Sequence, residues 1–98
     1  MTDEILRIQN IVRPIAQNHG VRRLSLFGSR ARGDYRDSSD YDFLISKGNI
    51  SGMLSYLEFV DDLEDALGTH VDVITDTSED EEIINAARRD EVVLYERA

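Results

Sequence analysis

The chain has no cysteine and no tryptophan, a single proline (Pro14) and a single lysine (Lys47). Without cysteine there is no disulfide framework, no thiolate zinc site and no thiol nucleophile. A chain this short without disulfides suits a reducing compartment, and a cytoplasmic protein is expected. Long apolar runs are missing too. A run such as Val92 to Tyr95 falls far short of a bilayer span, and the opening Met1-Thr2-Asp3-Glu4 is acidic, so no membrane role is expected. Positive charge is scarce. Twenty acidic side chains against eleven basic ones leave a net charge of -9, which repels a phosphate backbone and argues against nucleic acid as a direct partner.

What the chain does hold is 41% hydrophobic residues, enough over 98 positions to close one modest core. A single domain over residues 1–98 is expected. A site on so small a domain must lie open at the rim of a sheet or bundle, so an acceptor substrate needs a partner surface to hold it. The basic residues are nearly all arginine. Arg22, Arg23, Arg30, Arg32 and Arg36 crowd one stretch of an otherwise acidic chain, a distribution that suits a local anion site.

Ile5, Ile8, Ile11, Val12 and Ile15 recur at helical spacing, with Thr2 as cap and Gly20 as stop. A helix is therefore predicted over residues 3–18, its second half weakened by Pro14. Val21, Leu24, Leu26 and Phe27 read as a strand ending at Gly28, and residues 29–32 as a short helix. A second strand is predicted from Tyr41 to Ser46. Met53, Leu54, Leu57, Val60, Leu63 and Leu67 mark a long amphipathic helix closed by Gly68, and residues 70–75 a third strand. A further helix is predicted from Glu79 to about Arg88, then Val92 to Tyr95 as a short final strand or a docked tail. The order αβαβαβα places the chain in the α/β (α+β) class.

Three features carry chemistry. A strand running into Gly28-Ser29 and a helix start can seat a phosphate, because glycine permits close backbone approach and the free amides favour an anion. Asp40 and Asp42 lie two apart, so on a strand they share a face, where their repulsion calls for a cation or an arginine unless both are solvated strand-end residues. Asp72 sits alone between Val71 and Val73 on an apolar strand, and if that strand lies beside Tyr41–Ser46 three carboxylates converge. Such a set suits two-metal displacement at phosphorus. Other polar groups read as structural. His19 and His70 lack metal-ligand spacing, Asp61-Asp62, Glu64-Asp65 and Glu79 to Glu82 read as solvated helix faces, and Ser25 has no partners of a serine nucleophile.

The stretches Phe27-Gly28-Ser29-Arg30-Ala31-Arg32-Gly33-Asp34 and Ser39-Asp40-Tyr41-Asp42-Phe43, followed by Val71-Asp72-Val73-Ile74, resemble the minimal nucleotidyltransferases of the DNA polymerase β superfamily. The resemblance covers essentially the whole chain and implies a small mixed β-sheet flanked by helices. By that similarity Gly28 and Ser29 would hold the triphosphate of ATP, with Arg30 or Arg32 assisting. Asp40 and Asp42 would bind two Mg2+ ions, and Asp72 would complete the metal site that activates the attacking hydroxyl. Tyr41 departs from the pattern, which more often carries an aliphatic residue there.

Members of this size resemble the antitoxin of a toxin–antitoxin pair whose partner is a HEPN-domain ribonuclease. The implied activity is transfer of AMP from ATP to a tyrosine hydroxyl of that toxin. A competing reading is a non-catalytic antitoxin that neutralises the toxin by binding, and the complete carboxylate set favours the enzyme. A third, transfer to a small molecule or an RNA end, is opposed by the short chain and its negative charge.

Overall fold

A computed structural model describes residues 1–97. Along them run α1 (Asp3–Asn18), β1 (Arg23–Phe27), α2 (Ser29–Arg32), β2 (Tyr41–Ser46), α3 (Gly52–Leu67), β3 (Val71–Thr75), α4 (Glu81–Asp90) and β4 (Val92–Glu96). Thr2 caps α1, its hydroxyl accepting from the Ile5 amide at 3.1 Å. Pro14 does not break the helix, which continues to Asn18. Both Pro14 and Asn10, the residue whose carbonyl loses its partner, lie on the exposed side, where water can satisfy that oxygen.

The strands form one sheet in the order β3-β2-β1-β4. β1 runs antiparallel to both β2 and β4, while β2 and β3 are parallel, which makes the sheet mixed. Val92–Glu96 is thus a strand bonded to β1 rather than a docked tail. Alternation along each strand divides the residues between two faces. One face presents Leu24, Leu26, Tyr41, Phe43, Ile45 and Val71 to Ile5, Ile8 and Val12 of α1 and to Phe59 and Leu63 of α3, and these build the core. The opposite face carries Ser25, Phe27, Asp42, Leu44, Asp72 and Ile74. There α4 packs against β1, leaving the β2–β3 side, and with it the carboxylates, toward solvent. Among the described residues no helix is long and apolar enough to cross a membrane.

Candidate active site

The site begins where β1 ends. Gly28 takes φ 74 and ψ -158, a conformation side chains rarely adopt, and this turns the chain from β1 into α2. A Cβ at Gly28 would also overlap Asp42 Oδ2. Glycine is needed twice over, for the turn and for the close approach of the Asp42 carboxylate. The turn leaves the first amides of α2 without partners inside the helix.

Asp42 on β2 stands opposite Phe27 on β1 and opposite Asp72 on β3, so the two carboxylates share the open face in register. Asp40 immediately precedes β2 and is exposed. Burial pushes the Asp42 carboxyl up to about 6, and the charges of Asp72 and Asp40 push in the same direction, with Arg32 opposing. A half-buried carboxylate crowded by two others is short of positive charge. The chemistry of this donor set, three carboxylates around the open end of two strands, fits divalent cations that prefer oxygen.

A further group joins them. Asp40, His70 and Asp72 bring one ligand atom each to within 4.8 Å of one another. His70 Nε2 lies 3.0 Å from Asp72 Oδ1, and its Nδ1 lies 3.0 Å from Glu64 Oε2. The imidazole is held above its ordinary pKa, first by its hydrogen bond to Asp72. Glu64 Oε2 also accepts from the Val71 amide at 3.0 Å, which ties the end of α3 to the start of β3. Glu64 is therefore no freely solvated helix residue, and His70, although exposed, faces the carboxylate cluster. The available signal was its spacing, two residues before Asp72 on the same strand face. His19 meets the structural expectation, with Nε2 on Asp62 at 2.6 Å and its ring edge-on to Phe59.

The arginines do not gather into one patch. Arg30 is buried, its guanidinium between the rings of Tyr35 and Tyr41 with centroids at 4.5 and 4.4 Å. It donates to the carbonyls of Asp37 and Ser39 and lies 3.7 Å from Glu4, so it grips the loop that delivers Asp40. Arg32 is exposed and pairs with Asp34 at 3.3 Å and Asp90 at 2.8 Å, close enough to Asp42 to favour its charge. Arg23 is spent on Glu91 and Glu96, and Arg22 and Arg36 point to solvent. Tyr41 is accommodated in the core, stacked on Phe43, with its hydroxyl accepting from Arg7 at 2.9 Å. A groove of about 540 Å³ beside the start of α3, lined by Lys47, Ile50, Met53 and Tyr56, holds none of these carboxylates.

Residues 9–98 match the family described as polymerase beta, nucleotidyltransferase. The chain belongs to this nucleotidyltransferase family. A candidate protein adenylyltransferase of Methanocaldococcus jannaschii is 39% identical over 71 residues, 72% of this chain and 76% of that protein. The protein adenylyltransferase MntA of Thermococcus cleftensis is 34% identical over 64 residues, 65% of each chain. In fold, this nucleotidyltransferase is similar to a chain of a toxin–antitoxin crystallised with AMP-PNP, with a TM-score of 0.78 at 19% identity, over 91% of this chain and 73% of that one. It is similar as well to a chain from the complex of a tri-AMPylated Shewanella oneidensis HEPN toxin with its MNT antitoxin, with a TM-score of 0.73 at 16% identity, over 95% and 73% of the two chains.

Proposed function

We propose that this chain, acting as one domain, is the antitoxin of a toxin–antitoxin pair and transfers AMP from ATP to a tyrosine hydroxyl of a HEPN ribonuclease toxin in the cytoplasm. The observation that carries the reading is the in-register pair Asp42 and Asp72 beside the Gly28 turn, with Asp40 at the strand's start. Two relatives named as protein adenylyltransferases support the reaction class, and the structurally similar toxin–antitoxin complexes support the partner.

In this reading Asp40, Asp42 and Asp72 hold two Mg2+ ions. When bound, such ions acidify the attacking hydroxyl and neutralise charge on the phosphates. Gly28 and Ser29 cradle the triphosphate through backbone amides, and the exposed Arg32 swings from Asp34 and Asp90 to assist it. Arg30, committed to the 37–39 carbonyls, fixes the loop instead of touching phosphate. The tyrosine hydroxyl gives its proton to water as its oxygen bonds to the α-phosphorus, the bond from that phosphorus to the α–β bridging oxygen breaks, and pyrophosphate leaves in line. The partner supplies the tyrosine and the surface that presents it, because Asp40 and Asp72 lie open to solvent at the rim of the sheet. The AMP adduct adds bulk and negative charge to the toxin.

The test is incubation with a HEPN partner, Mg2+ and ATP labelled at the α-phosphate, beside Asp40→Asn and Asp42→Asn variants. Label on the partner that falls at least about 100-fold in both variants is expected, the loss typical of removing electrostatic stabilisation at the reacting centre. Full toxin neutralisation by unlabelled complexes of both variants would establish binding alone as the function.

A further inference from the structure

Surface histidines between carboxylates are common, but His70 is arranged differently from a simple ion pair. Its Nδ1 is taken by Glu64, and Glu64 is itself anchored by the Val71 amide, so the ring has a set orientation. Nε2 hydrogen-bonds Asp72 Oδ1 at 3.0 Å, and with the Nδ1 proton directed at Glu64 a divalent ion between Nε2 and Asp72 would take the place of the Nε2 proton. A carboxylate on one ring nitrogen with the other aimed at a ligand cluster is the usual support of a metal-bound histidine. One distance agrees. Neighbouring ligands in an octahedron of about 2.1 Å bonds stand about 3.0 Å apart, as Nε2 and Asp72 Oδ1 do, and Asp40 offers a third ligand atom within 4.8 Å of both. Exposed ion pairs bring little stability, so holding a histidine here for pairing alone has small benefit.

We infer that His70 is a nitrogen ligand to the divalent ion held by Asp40 and Asp72, oriented by Glu64, and that the site consequently takes Mn2+ in preference to Mg2+. Imidazole suits transition ions, whereas Mg2+ selects oxygen. The inference rests on the reading of Asp40 and Asp72 as metal ligands, and adds the nitrogen donor and the choice of ion.

The experiment adds Mn2+ alone to the isolated protein and records pulsed electron paramagnetic resonance together with calorimetric binding. Modulation from an imidazole 14N nucleus is expected. It should vanish in His70→Gln, which leaves the exposed position folded, and persist in His19→Gln. Mn2+ affinity should fall about tenfold or more in His70→Gln and about tenfold in Glu64→Gln, the range for loss of a supporting carboxylate. The Mn2+ over Mg2+ preference should narrow by a similar factor in His70→Gln. Mn2+ bound without 14N modulation, or modulation that survives His70→Gln, overturns the inference and leaves the carboxylate metal site standing. Failure of Mn2+ to bind, with Mg2+ also silent, overturns both.

Discussion

At the scale of single residues, Gly28 and Asp42 are a coupled pair. The positive φ and the carboxylate lying where a Cβ would project mean that Gly28→Ala suffers both backbone strain and a steric conflict. We expect a loss of about 1–3 kcal/mol in urea unfolding, together with loss of transfer activity, because Asp42 must move to relieve the overlap. Asp42 also sets a pH dependence. Its pKa rises from 3.8 to about 6 on folding, so the native state holds this proton more tightly than the unfolded chain. Its contribution to stability therefore declines as pH rises from about 4 to about 6, and above that the penalty of the buried charge is fully present. In EDTA, Asp42→Asn should be more stable than the parent above pH 6, by about 1 kcal/mol after allowing for partial exposure, with the difference shrinking toward pH 4. Urea titrations of both proteins across that range measure it, and an unchanged gap contradicts the assigned shift.

At the scale of elements, the spacing of apolar residues along α1, β2 and α3 was enough to place them, because each element's period is a local property of the backbone. The 3–18 helix and the Tyr41–Ser46 strand appear with those bounds. Pro14 interrupts the hydrogen bonding of α1, and the helix tolerates it because its cost falls on the water side. That cost remains, so Pro14→Ala should stabilise the protein by about 1–2 kcal/mol, the helix gain less the greater freedom returned to the unfolded chain. A thermal melt checks the sign. The loop from Gly33 to Asp40 has no such period, and what orders it is Arg30, which sits between Tyr35 and Tyr41. Arg30→Ala should cost about 2 kcal/mol and, if Asp40 is the ligand proposed above, weaken divalent-ion binding. Arg30→Lys should not restore it, because an ammonium cannot fill a planar slot between two rings while meeting both carbonyls.

At the scale of the whole molecule, α1, α3 and the sheet meet around Phe43 and Phe59, both fully buried. Phe43→Ala should cost about 3–5 kcal/mol, a large share of the stability of about 5–15 kcal/mol usual for a domain. Its unfolding midpoint in urea should drop accordingly. The sequence by itself placed the main helices and strands and the glycine turn, because turn geometry and residue period are written in neighbouring positions. Only the tertiary structure decided that β3 lies parallel beside β2, which puts Asp72 in register with Asp42. It alone sent Arg30 inward, split Arg23 and Arg32 between separate acidic partners, and carried Glu64 from the end of α3 to His70. Those outcomes depend on which segments pair across a sheet and which side chains meet across distant elements, and no local pattern records either.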